Sequence, residues 1–451
     1  SSKFPENSKW GFFPSASIGW RLSEEKFMEW SRNWLDNFKI RLSAGSMGNG
    51  NIDPYKYIDY MTLKSSTVVI GNALGTYTVA PGAIPLSLTW ETSTTYDVGA
   101  DLDLFKNRLT MGFDWYRRYT TDMYTVGVSL PAVYGTAAPK GNNASLKTNG
   151  WELSVGWRDS FKLGGKEFRY GVKAMVWDSR TWVTKYINPT GNLDDYYEGM
   201  ELGEIWGYRI DGLFASDEEA RNYPVDQTTV NEIINASAGA EKGLRAGDLK
   251  FRDLDDNNVI SIGKNTVDDP GDREIIGNSQ PRYHYGATLA LQWAGIDFSI
   301  FFQGIGRQDW YPAANALAFW GPYARPYATY LPKNFHTQIW SEENPNSYFP
   351  RPRGYTALQG TNRELTAVND RYLQNIGYCR LKNLTVGYTL PRQWTRKALI
   401  ESLRIYFTGE NLFTWSGIRS DYIDPEMAAT NGNLRLYPWQ RTYMFGVDVT
   451  F

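Results

Sequence analysis

The chain has 451 residues, a formal net charge of −2, one cysteine and two histidines, which excludes an intramolecular disulfide, a multi-thiolate metal site and catalysis through several imidazoles. The near-neutral balance leaves no footprint for nucleic acid, and the absence of any apolar run of about 18 residues excludes a transmembrane helix. With 30 Tyr, 18 Trp and 21 Phe, the chain is nevertheless rich in rings, and a negative mean hydropathy is compatible with a transmembrane barrel, where lipid-facing and lumen residues alternate.

Ser1 to Lys9 hold no charged-then-apolar segment of the signal-peptide type, so the expectation is a signal already removed or a start inside a longer protein. From there, segments with a period of two recur. Ala16, Ile18, Trp20 and Leu22 share one face, and Phe38, Ile40, Leu42 and Ala44 the next. Gly45 to Gly50 reads as a turn, with no helix after it to form a phosphate cradle. Val98 to Leu104, Leu109 to Trp115, Trp151 to Trp157 and Phe168 to Val176 follow, then Tyr285 to Trp293, Ile296 to Phe302, Leu384 to Leu390 and Leu403 to Phe407. The last thirteen residues, Trp439 to Phe451, carry Tyr443, Phe445, Val447, Val449 and Phe451 on one face. These are about eleven strands, most of them long enough to cross a membrane when tilted.

Connections fall into two classes. Phe105–Arg108, Lys162–Lys166 and Trp293–Ile296 are tight turns, whereas the stretches from Val183 to Gln280 and from Gly304 to Arg371 are very long. Short turns at one end and long loops at the other are the transmembrane barrel arrangement; a soluble sandwich needs turn signals every 8–12 residues or so. The predicted fold is therefore all-β, a transmembrane antiparallel barrel with long extracellular loops. A secreted, soluble β-rich glycan-binding protein is the competing class. Because single-chain bacterial barrels have even strand numbers, an odd count predicts that residues 1–451 form the C-terminal part of a larger barrel.

Within the long connections, Ser216-Asp-Glu-Glu219 reads as a capping box opening a short helix through Arg221. Trp310, Tyr311, Phe319, Trp320 and Tyr323 lie outside any alternation, so they are candidates for stacking on a sugar or peptide, or else for packing on one another to stiffen a loop. If they are contacts, exchanging Trp310 or Trp320 for Ala weakens ligand binding and spares barrel assembly. Asp253, Asp255 and Asn257, with the Val259 carbonyl, follow the alternate-position oxygen pattern of a calcium loop. Asn258 stands where that pattern has Gly and Lys264 where it has an acid; Asp268, Asp269 or Asp272 is left to supply the missing carboxylate. An acidic solvated turn is the competing reading. No nucleophile elbow occurs, His284 has no serine partner in the pattern, and the carboxylates are scattered, so nothing points to an enzyme.

Several ordered blocks resemble one family, the SusC/RagA-type TonB-dependent outer-membrane transporters of Bacteroidetes. They are Trp10-Gly-Phe-Phe-Pro-Ser-Ala-Ser-Ile-Gly-Trp20, Arg41-Leu-Ser-Ala-Gly45 with Pro54-Tyr55, Trp90-Glu-Thr92, Gly247-Asp-Leu-Lys-Phe251 with Asp272 to Asn278, Glu343 to Pro350, Arg380 to Pro391, Gly409-Glu-Asn-Leu-Phe-Thr414 and the terminal Phe451. The resemblance implies a barrel of about 22 strands, of which this chain supplies the C-terminal half, with plug and N-terminal domains upstream. It further implies TonB-driven import of a large nutrient, most often an oligosaccharide and in some relatives a peptide. A SusD-like surface lipoprotein and the inner-membrane TonB complex are the implied partners, and Phe451 is the implied assembly signal. A passive porin or a general TonB-dependent receptor for metal chelates is the alternative in a neighbouring class. Asn258 and Lys264 depart from the family pattern at the acidic loop.

Overall fold

The computed structural model describes the chain apart from residues 55, 59–60, 80–83, 86–87, 128–132, 134–137, 233–242, 326, 328–330, 332, 354–356, 359, 361–362, 421 and 431–436; Tyr55 of the second resembling block therefore lies outside the described residues. Two compact units are distinguished, residues 1–102, 112–152 and 179–202 in one and residues 103–111, 153–178 and 203–451 in the other.

Eleven strands form one antiparallel sheet in which each strand neighbours only those adjacent in sequence. They are β1 Ser15–Arg21, β2 Leu35–Asn49, β3 Glu91–Leu104, β4 Leu109–Val126, β5 Lys140–Leu163, β6 Lys166–Lys185, β7 Arg282–Trp293, β8 Ile296–Arg307, β9 Tyr378–Thr389, β10 Ser402–Ser416 and β11 Thr442–Thr450. All eleven alternating segments of the sequence fall on them. Several strands outrun their alternation, and β5 reaches 24 residues. β2 extends through Asn49, so the predicted turn at Gly45–Gly50 is strand for most of its length. The last strand begins only at Thr442; Trp439 instead lies in the preceding connection, under the Lys382 ammonium at 4.7 Å.

In the second unit the pairing keeps Leu289, Ile300, Leu384 and Gly409 in one row and Trp293, Ile296, Tyr388, Ile405 and Val447 in another, all on the apolar face. On the opposite face Asp297, Gly387, Tyr406 and Gly446 lie side by side. Within the first unit, Ile18 pairs with Leu42 and Trp20 with Ile40, while Gly19 pairs with Arg41 behind them. The apolar face is open to its surroundings, with Ile18 67% and Phe445 83% exposed. Water does not tolerate so long an apolar face, whereas a bilayer requires it.

Polar-face charges are paired across strands. Arg41 bonds Asp101 at 2.9 Å and Asp114 at 2.9 Å, and Arg404 repeats the arrangement with Asp297 at 2.7 Å and Asp448 at 3.0 Å. Where a Gly leaves the sheet thin, a neighbouring ring covers it: Tyr116 over Gly150 and Tyr406 over Gly446, so that a Cβ at either Gly meets the ring within 2.3 and 2.2 Å. The tight turns carry the positive φ that two-residue hairpins demand, at Gly164 and Gly165 between β5 and β6 and at Ala294 and Gly295 between β7 and β8.

The connections on one side of the sheet are short or of moderate length, and those on the other include the longest, after β2, β6, β8 and β10. The loops after β6, β8 and β10 do not stay structureless. Residues from all three pack into one core that includes Tyr208, Leu249, Phe251, Trp320, Tyr372, Ile423 and Ala428. The capping box is realised: Ser216 accepts from the Glu219 N–H at 3.0 Å, and the helix runs Asp217–Asn222.

Candidate functional site

Of the two readings open for the five loop rings, contact with a ligand or packing on one another, the structure has three of them packed. Phe319, Trp320 and Tyr323 are 3%, 0% and 1% exposed. A four-residue helix, Leu317–Trp320, turns Phe319 and Trp320 inward. Their ring centroids lie 4.8 Å apart, with Tyr372 5.3 Å from Trp320 and Phe349 5.6 Å from Tyr323. The polar edges are satisfied: Trp320 Nε1 donates to the Ala313 carbonyl at 3.0 Å and the Tyr323 hydroxyl to that of Pro350 at 2.5 Å. Burial drives the Tyr311 and Tyr323 hydroxyls well above the usual tyrosine range, so both remain donors. Trp310 and Tyr311 are half-buried; Trp310 meets Phe319 edge-on at 6.4 Å, and Tyr311 donates to Leu365 O at 3.0 Å. The physical reason is pooling, because no single loop has enough apolar surface for a core and three together do.

In the acidic loop, carboxylate oxygens of Asp253, Asp255 and Asp272 all lie within 4.8 Å of one another. Asn258 takes φ +63°, the conformation that its place in the pattern requires. Asp272 is buried and accepts from the N–H groups of Leu254 at 2.8 Å and Ser261 at 2.7 Å, which fixes both its oxygens across the loop. Asn257 is engaged in the turn, its Oδ1 accepting from Val259 N at 2.7 Å and its Nδ2 donating to Asp255 at 2.9 Å. Lys264 turns away to Asp269 at 3.7 Å. Asp253 Oδ1 is buried without a hydrogen-bond partner among the described residues. Burial first, then the neighbouring carboxylates, pushes the Asp272 carboxyl upward. This donor set, all oxygen and short of positive charge, fits a hard divalent cation.

One group had no signature in the sequence. Glu364 is fully buried, receiving Asn231 Nδ2 at 3.3 Å, and lies near the buried Asp248–Arg353 ion pair. Burial, reinforced by the Asp248 charge, raises its carboxyl to about 8. Between the ordinary glutamate range and about 8, the folded loops hold a proton that the unfolded chain has lost, so their stability falls as pH rises through that window. Hydrogen exchange of the loop core is expected to accelerate from pH 5 to pH 8, at constant intrinsic rate, and Glu364→Gln to flatten that dependence.

No family model matches the chain. TonB-dependent receptor P3 of Formosa agariphila is 28% identical over 100% of this chain and 43% of its own length. TonB-dependent receptor SusC of Bacteroides thetaiotaomicron is 26% identical, again over 100% of the chain and 41% of its own. Among solved structures, the RagAB peptide importer in its open-open state superposes with a TM-score of 0.69 at 21% identity, covering 100% of this chain and 44% of that one. The curated relatives of the chain are thus TonB-dependent receptors, SusC among them, and its fold is that of the RagAB transporters. The chain spans less than half the length of these relatives and matches their C-terminal portion. For a receptor of this type the eleven-stranded sheet is part of a β-barrel, with its apolar face toward lipid and its polar face inward.

Proposed function

We propose that this chain forms the C-terminal wall and outer loops of a TonB-driven importer of a large nutrient, an oligosaccharide. What carries the reading is the division of labour in the fold: short turns at one end of the strands, and at the other three long loops folded into one core, on a sheet matched over its whole length by the RagAB transporters. A folded outer rim of this kind suits a surface lipoprotein of the SusD type, and energy from the inner-membrane TonB complex would enter through sequence upstream. In this reading Trp310 and Tyr311, both half-buried, are the rings that meet ligand or partner, and Phe451 is the terminal residue read at assembly.

The decisive experiment is uptake by cells of the source bacterium carrying or lacking the full-length gene, with and without TonB. Accumulation of a labelled oligosaccharide that requires both supports the reading; uptake that survives loss of TonB sinks it. Peptide import is the second reading, because the solved RagAB structures are described as a peptide importer and transporter. A labelled peptide run beside the sugar separates the two.

Calcium in the acidic loop is part of this proposal. Asp253, Asp255 and Asp272 would hold the ion, which would tie residues 253–272 into the outer rim. Calcium is expected to slow proteolysis of that segment in the purified receptor and Asp272→Asn to abolish the effect. Protection that is identical with a chelator present would count against the site.

A further inference from the structure

We infer that the outward face of β4, β5 and β6, at the end that carries the long loops, is a docking surface for the phosphorylated sugar headgroup of an outer-leaflet glycolipid. The surface is independent of what the receptor imports. It lies on the lipid side of the wall, which a domain filling the lumen does not reach, and its strands are flanked on both sides by strands of this chain, β3 and β7.

The direction of the side chains follows from the period of two. On β4 the apolar series Leu109 to Trp115 continues at Arg117. On β5 the series from Trp157 back to Trp151 continues at Asn149 and Lys147, and on β6 that from Phe168 to Val176 leads on to Arg180 and Trp182. Contacts between the strands agree. Arg117 Nε donates to Asn149 Oδ1 at 2.8 Å, while Tyr116 covers Gly150 on the opposite face. The Thr148 and Thr181 hydroxyls meet at 2.9 Å on that opposite face, which brings Asn149 beside Arg180 and Lys147 beside Trp182 on the outward one. The Lys147 ammonium accordingly lies 5.2 Å from the centre of the Trp182 ring.

The apolar band sets the height of this patch. Leu109 and Arg117 are about 27 Å apart along the strand, at roughly 3.4 Å per residue. A strand tilt of about 40° reduces that to about 21 Å, close to the lipid-facing band of about 25 Å. A cation on the lipid face is costly at the midplane and nearly free at the interface. Arg117, Lys147 and Arg180 therefore sit where the headgroups begin.

Among the described residues, these three cations face one carboxylate, Glu201, which Arg180 meets at 3.6 Å. Arg117 lies 5.5 Å from the Trp115 ring centre and Lys147 rests on Trp182, and neither has a carboxylate partner among the described residues. Asp178, two residues before Arg180, is buried and held by Arg282 at 2.6 Å. The inward face is different, with Arg41 bridging Asp101 and Asp114. A guanidinium and an ammonium left without carboxylates at headgroup height are matched by a phosphate, which accepts from both. Trp115 and Trp182, rings at the boundary between apolar and wet, supply the contact for the sugar that bears it.

The test is native mass spectrometry of the full-length receptor in detergent, stripped of lipid and then offered diphosphoryl lipid A, the same lipid A without its phosphates, or phosphatidylglycerol. Diphosphoryl lipid A is expected to be retained at least about tenfold more strongly than either competitor, with the margin narrowing as salt rises. Arg117→Gln/Lys147→Gln should erase the margin, whereas Lys173→Gln, on the opposite face of β6, leaves it intact. Heat-modifiable gel migration verifies that each variant forms its barrel. Equal retention with and without the phosphates, or an unchanged margin in the double variant, overturns the surface. Phosphatidylglycerol retained as strongly as diphosphoryl lipid A overturns the assignment to a glycolipid. A receptor dimer lost in the double variant, with lipid A binding unchanged, overturns it in favour of a second copy of the receptor. Each of these results leaves the import reading standing.

Discussion

Asp248→Ala is expected to cost the loop core about 3–5 kcal/mol, the penalty for leaving a buried charge without its partner. Asp248 is fully buried and takes Arg353 in a two-pronged bond, Nε at 2.7 Å and Nη2 at 2.5 Å, while also accepting from the Arg245 N–H at 2.8 Å. Removing the carboxylate strands the guanidinium, which is only 10% exposed. Replacing both partners, as in Asp248→Leu/Arg353→Met, should recover most of the loss, because a well-packed apolar pair needs no compensation. Hydrogen exchange over residues 243–260 and 347–372 measures both. Equal protection in wild type and Asp248→Ala would show that the pair contributes nothing to loop order.

Trp320→Ala should be as damaging, at about 3–5 kcal/mol for a buried aromatic replaced by a cavity. Trp320 touches Phe319, Phe349 and Tyr372 and donates to the Ala313 carbonyl, so its loss loosens the connection between β8 and β9 within the shared core. Trp310→Ala, at a half-buried ring, is expected to cost clearly less. Of the two roles that the sequence pattern offered for Trp320, its burial matches packing within the loops. Any fall in ligand affinity in Trp320→Ala should track a fall in the thermal stability of the loops. Lost affinity with unchanged stability would restore Trp320 as a direct contact.

The strands were legible because their physics is local. A period of two written with Leu289, Leu291 and Trp293 against Ala290 and Gln292 needs no partner to be read. The irregularities were not: register shifts near Phe301 and near Lys382, and the positive φ of Tyr283 and Asn411, depend on how neighbouring strands meet. The loop core was invisible for a related reason. Tyr208, Trp320 and Ile423 are far apart in sequence and share no period, so each looks like a stray apolar residue until the other loops are present. In the acidic loop the alternate-position pattern found Asp253 and Asp255, and Asp272 was one of three candidates that only folding could separate. Glu364 sits in an ordinary polar stretch, and its shift exists only because of what buries it.

The strand order has a kinetic consequence. Each strand of the sheet pairs only with its sequence neighbours, so the sheet can grow hairpin by hairpin with small loop-closure entropy at every short turn. The outer core has the opposite character, since contacts such as Tyr208 with Phe251 must be joined to partners beyond residue 420 before the core is complete. High contact order makes it the slow, late event. During refolding into detergent, the heat-modifiable barrel band should therefore appear while the segments around residues 208–260 and 311–376 are still cut by protease. Simultaneous protection of both would mean that the rim and the wall fold as one cooperative unit.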